Sequence, residues 1–292
     1  MNHSIENENI ILTVAEKGAE MQSIYHKKIE KEYLWQGNPD IWAGRAYNLF
    51  PTCGKMAQNK YTLGGNTYEM NPHGIARKLD FKLIDKQDSQ MSFALCASID
   101  TLKVYPFNFE FIITYTLAGN SVVTTYEVRN LDTKTMLFAI GGHPGFNVPL
   151  CEKEVFEDYY LEFYAESEPL EYVMNSDGYF SGKMREFPLK AGKILNLSHK
   201  MFDNDAIFLT NVCNGVTLKS SRNRHFVNVN FAGMPCLGIW HKPKTEAPYV
   251  CIEPWSSCPV VNGEVIDFTN KPSQIKLAEG KTYKTAVTIT IG

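Results

Sequence analysis

Residues 107–128 restrict the fold more than any other stretch. Phe109, Phe111, Ile113 and Tyr115 recur at every second position. A Gly119-Asn120 pair follows, and then Val122, Thr124, Tyr126 and Val128 recur in the same way. A period of two puts each set on one face of a strand. A Gly-Asn pair between two such runs reads as the turn of an antiparallel hairpin.

The same pattern recurs along the chain. Residues 10–14, 18–24 and 32–37 read as a first β-meander. KYTLGGNTYEM is a second hairpin with Gly64-Gly65 at its turn. Residues 79–84 and 91–99 form an expected antiparallel pair, and residues 136–140 a strand leading to His143. Residues 151–197 read as strands with long loops. Residues 198–205 read as one helical turn with Ser198 as its N-cap, ahead of a strand at 206–209. Further strands are expected at 226–231, 233–240, 249–252 and 283–291, with loops at 241–248 and 256–270. Helical periodicity never extends beyond a couple of turns, and there is no repeat or linker. Short, regularly spaced strands with turn signals specify an all-β protein, an antiparallel sandwich or barrel. All-β domains of this length run as one unit, so residues 1–292 are read as a single domain.

Composition removes several function classes. A net charge of −3 argues against nucleic-acid binding, which calls for a basic stripe. No apolar stretch is long enough for a membrane span. The first residues, MNHSIENENIILTV, lack the basic segment and apolar core of a signal peptide. There are seven cysteines and no C-x-x-C pair. Together these features point to a reducing cytoplasm, with the cysteines as free packing thiols.

Three stretches carry titratable groups beside Gly or Pro. GGHPGFN presents His143 where a strand is expected to run into a Gly/Pro turn. NPHGIARKLDF presents His73, with Arg77 just beyond. YVCIEPW places Glu253 at the end of an apolar run. Histidine titrates near neutral pH and so exchanges protons readily. Burial raises a carboxylate's pKa toward the operating range of a general base. The structural alternative is a Glu253 paired with Arg45 or Arg77. Two histidines and a glutamate also suit a transition metal, but no H-x-H or H-x-x-x-H spacing pre-forms a chelate. There is no G-x-S-x-G elbow, P-loop or dinucleotide fingerprint.

Taken in order, NPHGIAR, GGHPGFN, DAIFL and YVCIEPW resemble the aldose 1-epimerase (galactose mutarotase-like) family, especially a bacterial epimerase-like branch associated with lactose and galactose metabolism. The resemblance spans essentially the whole chain. It implies a large antiparallel β-sandwich with a sugar cleft across one face. It also implies an isomerase that interconverts the α and β anomers of a hexose, with neither metal nor cofactor. In that reading Glu253 is the base and His143 the acid. His73, Arg77 and Asp205 would bind the sugar. Galactose mutarotases proper carry a GRxANRI segment. The corresponding GKMAQNKYTL lacks that arginine, which leaves Lys55 or Arg45 as a substitute. Lysine does not reproduce a bidentate arginine contact. The alternatives of the same fold are a hexose-6-phosphate 1-epimerase, served by a basic cluster of Arg45, Lys55 and Arg77, and a non-catalytic sugar-binding protein.

Overall fold

A computed structural model describes residues 1–261 and 263–292. Asn262, inside the loop expected at 256–270, lies outside the described residues. The pattern of 107–128 becomes the hairpin Phe109–Ala118 and Ser121–Asn130. Its register pairs Ile113 with Tyr126. It forms the middle of a nine-stranded sheet, in which Thr282–Ile291 flanks it on one side and Gln90–Cys96 on the other. The face carrying Phe109, Phe111, Ile113 and Tyr115 is fully buried. Each such side chain contributes about 1.5–3 kcal/mol through burial.

The opposing layer is a seven-stranded sheet. In spatial order its strands are Phe180–Glu186, Leu170–Met174, Ile207–Thr210, Cys236–Trp240, Tyr249–Trp255, Gly141–Asn147 and Ala46–Leu49. Every registered pair in it is antiparallel. Val250, Ile252, Phe146, Leu237 and Ile239 turn inward and share one apolar cluster with Phe111 and Tyr126 of the larger sheet. The two sheets therefore form a large antiparallel β-sandwich. Asn48 fixes their relative position. Its amide oxygen accepts from the Tyr126 hydroxyl at 3.0 Å, and its nitrogen donates to the Tyr115 hydroxyl at 3.0 Å. All three are buried, so this polar link is satisfied within the core.

A four-stranded sheet begins with Asn2–Glu6, and the hairpin Lys60–Leu63 and Asn66–Glu69 lies apart. Several expectations change. The strand expected to reach residue 99 stops at Cys96, because Ser98 caps a six-residue helix, Ile99–Val104. The Ser198 turn is a 3₁₀ turn over His199–Phe202. The largest change concerns GGHPGFN. It is not a rim turn but the interior strand Gly141–Asn147, and Glu253 likewise lies within Tyr249–Trp255 rather than past its end.

Candidate active site

Strand alternation decides which side chains reach the site. With Val250 and Ile252 facing the core, Cys251, Glu253 and Trp255 face the other side of the seven-stranded sheet. The pairs Gly141↔Trp255 and Gly145↔Cys251 set the register of the neighbouring strand. Counting inward from both places His143 opposite Glu253. Between those pairs the ladder lapses, and there stand Pro144 and Pro254, neither with an N–H to give. The two prolines that read as punctuation in the sequence interrupt the ladder where the two titratable side chains meet.

His143 Nε2 lies 3.4 Å from Glu253 Oε1. Glu253 is 2% exposed and His143 7%. Burial pushes the Glu253 carboxyl well above the ordinary carboxylate range, and the nearby Asp205 charge adds to this. Burial pulls the His143 imidazole down to about 3. Both shifts favour uncharged groups, so in the free protein the pair's shared proton rests on the carboxyl. His143 Nδ1 is buried without a hydrogen-bond partner.

The pair opens onto a cavity of about 340 Å³. All six residues singled out by the sequence line it: Lys55, His73, Arg77, His143, Asp205 and Glu253. His73 arrives from a tight turn. Its φ is +66°, and the next residue, Gly74, has φ +76°. A Cβ on Gly74 would sit 2.2 Å from the Phe50 carbonyl oxygen, so only glycine fits there. The turn sets the His73 ring 5.4 Å from that of His143, edge to face. His73 Nδ1 accepts from the Gly54 N–H at 3.3 Å. Burial, with His143 and Arg77 nearby, holds His73 well below the usual histidine range.

Asp205 has φ +80°, a conformation that aspartate tolerates better than most residues. Its Oδ1 accepts from the Trp240 indole at 2.9 Å, and its Oδ2 lies 3.8 Å from Lys55 Nζ. The Arg77 guanidinium lies 5.1 Å from the centre of the Tyr47 ring, and its buried Nε has no partner. Glu253 is thus paired with neither arginine. Arg45 does not join the cavity: its Nη1 donates to the Gln22 carbonyl at 2.6 Å and to Gln36 at 3.1 Å. The expected three-residue basic cluster is therefore reduced to Lys55 and Arg77.

Of the aromatic candidates for a sugar-facing wall, Trp255 lines the cavity, whereas Phe146 and Trp35 are core. Sequence reasoning missed Trp42, Tyr47 and Trp240. Trp42 lies 5.1 Å from the His143 ring at 31°. It reaches there because Gly145 has no side chain, a Cβ on which would stand 2.9 Å from the Trp42 ring. The pairing of a loop tryptophan with a glycine on a distant strand leaves no local signal in the sequence.

The two-histidine metal set does not assemble. Among the described residues, the convergent set of potential ligands is His143, Cys251 and Glu253, whose ligand atoms all lie within 4.8 Å of one another. Burial drives Cys251 and Glu253 toward their protonated forms, which opposes cation binding. No helix among the described residues is long and apolar enough to cross a membrane.

The chain matches the family model described as aldose 1-epimerase over residues 1–290. It is 35% identical to Protein LacX (chromosomal) of Lactococcus lactis subsp. lactis, over 99% of each chain. It is similar to the crystal structure of a galactose mutarotase-like protein from Lactobacillus casei, with a TM-score of 0.94, 33% identity and 100% coverage of both chains. A galactose mutarotase related enzyme from Lactobacillus acidophilus superposes with a TM-score of 0.92 at 32% identity, over 100% of this chain and 97% of the other. On these grounds the chain belongs to the aldose 1-epimerase family.

Proposed function

We propose that the protein is an isomerase, an aldose 1-epimerase that interconverts the α and β anomers of a free hexose. The observation that carries this reading is the buried His143–Glu253 pair, 3.4 Å apart at the floor of a sugar-sized cavity. Mutarotation needs one group to remove the anomeric hydroxyl proton and another to protonate the ring oxygen. Glu253 is the base and His143 the acid. Because the proton rests on Glu253 in the free protein, it must first pass to His143 across the 3.4 Å gap as the sugar enters. Glu253 then takes the O1 proton, His143 Nε2 protonates O5, and the C1–O5 bond breaks. Rotation about C1–C2 and reclosure from the other face give the other anomer, with the two groups exchanging roles.

The remaining groups bind and orient the sugar. His73 and Arg77 donate to its oxygens, and Asp205, already fixed by Trp240, accepts from a hydroxyl. Lys55 stands at the cavity wall beside Asp205. Trp255, Trp42 and Trp240 supply apolar faces. Acid–base groups of this kind contribute about 10²–10⁴-fold to rate. Holding both against one ring adds an orientation term. No metal or cofactor enters the scheme, and the partner is a small sugar. Seven free thiols suit a reducing cytoplasm as the place of action.

The test is polarimetry of freshly dissolved α-galactose and α-glucose. Acceleration by the wild type and none by Glu253→Gln is the expected result. If folded wild-type protein binds these sugars without accelerating their mutarotation, the reading gives way to a non-catalytic sugar-binding protein.

A further inference from the structure

Behind the sugar cavity lies a group of side chains for which epimerisation has no use. Cys53, Cys236 and Cys258 share one small apolar cluster with Trp255 and Phe208. Beside them Lys271 is 3% exposed. Its ammonium donates to Ser257 Oγ at 2.5 Å. Among the described residues it has no carboxylate partner, and the acidic groups facing it are the thiols of Cys53, Cys258 and Cys236. A buried ammonium without a counter-charge is strongly disfavoured. One of these thiols is therefore the natural counter-ion.

The hydrogen bonds single out Cys258. The Ser273 hydroxyl donates to its sulfur at 3.7 Å. The Cys236 thiol and the Tyr172 hydroxyl donate to the same sulfur. Three donors converging on one sulfur suit a thiolate, since a neutral thiol is a weak acceptor. We propose that Cys258 is held as a thiolate beside Lys271, and that it is an oxidation site for peroxides with Cys236 as the resolving thiol.

The chemistry balances as follows. The Cys258 thiolate attacks one oxygen of hydrogen peroxide, the O–O bond breaks, and sulfenic acid and hydroxide form. The Cys236 thiol then attacks the sulfenic sulfur, an S–S bond forms, and water leaves. The peroxide takes two electrons and the two cysteines lose them. Peroxide is small enough to reach a thiol that is 5% exposed, and the following residues, Pro259 and Val260, line the open cavity. Nothing in this scheme depends on the sugar chemistry.

The experiment treats the native protein with a small excess of hydrogen peroxide, blocks remaining thiols after denaturation, and maps peptides by mass spectrometry over time. A Cys236–Cys258 disulfide is expected before any oxidation of the exposed Cys96. Lys271→Met is expected to slow its formation at least tenfold and Lys271→Arg to restore it, with Cys96 oxidation unchanged in both. Thiolate absorbance of the native protein at neutral pH should also fall in Cys258→Ser. Oxidation of Cys96 first, with Cys236 and Cys258 still thiols, would overturn the proposal. So would a rate indifferent to Lys271→Met, or thiolate absorbance unchanged in Cys258→Ser.

Discussion

His143 and Glu253 face each other across adjacent strands, 3.4 Å apart, where two prolines interrupt the ladder. Groups that exchange one proton act as a unit, so their removal should not be additive. Glu253→Gln and His143→Gln are each expected to lower kcat by about 10²–10⁴-fold. The double variant should be scarcely worse than the poorer single one. Polarimetric rates for the three variants, with circular dichroism as the check on folding, decide this. Independent losses that multiply would mean that the two groups do not share a proton.

The proton shifts give a pH dependence with a definite sign. Glu253 must be ionised to act as base, and its pKa is raised by burial. Activity should therefore still be climbing above the ordinary carboxylate range, and kcat/KM should rise with pH through neutrality. A profile already flat from pH 5 upward would contradict the assignment of Glu253 as base.

Stability has the opposite acid limb. His143 is held at about 3, below an ordinary value near 6.5. A depressed pKa gives stability that is fully present above the unfolded value and is lost as pH falls from about 6.5 toward 3. His73 shifts in the same direction and adds to the effect. His143→Gln keeps a neutral polar side chain but cannot take up the proton. Its urea midpoint should therefore fall less than that of the wild type between pH 7 and pH 4. Equal losses in the two proteins would show that other groups govern the acid limb.

The strand content was legible in the sequence because alternation is a local signal. Phe109 to Tyr115 and Val122 to Val128 pair as their pattern specifies. The site residues were legible through motif resemblance, and all six line one cavity. The local setting of His143 and Glu253 was not. Proline and glycine usually mark turns, yet here Pro144 and Pro254 sit inside a buried sheet, where they open the ladder without ending the strands. Trp42, Tyr47 and Trp240 were missed for a different reason. Each reaches the site through packing with residues distant in sequence, such as Trp42 over Gly145, and no period or spacing encodes that contact. Arg45 shows the converse. It lies near the site in sequence, but Gln22 and Gln36 hold it away.

Gly74 links fold to function through one backbone position. Gly74→Ala would place a methyl 2.2 Å from the Phe50 carbonyl and force an unfavourable φ. A loss of roughly 2–4 kcal/mol is expected, the range for clash combined with backbone strain. Turnover should fall further than the folded fraction does, because His73 moves with the turn. Gly64→Ala is the control: its φ is also positive, but nothing lies within 4 Å, so it should cost about 1 kcal/mol and spare activity. Chemical denaturation of both variants, alongside polarimetry, separates strain from site displacement.

The charge around the cavity favours a neutral sugar over a phosphorylated one. A phosphate at neutral pH carries close to two negative charges and needs several unengaged donors. Lys55 lies 3.8 Å from the Asp205 carboxylate, Arg45 is bound elsewhere, and Arg77 is packed on Tyr47. A phosphate placed near Lys55 would therefore also face Asp205. Galactose or glucose should accordingly show kcat/KM at least tenfold above that of its 6-phosphate. Asp205→Asn provides the second half of the test. It removes the opposing charge, so it should narrow that ratio while weakening binding of the free sugar. A wild-type preference for the 6-phosphate would reverse the assignment and show that Lys55 and Arg77 suffice for its recognition.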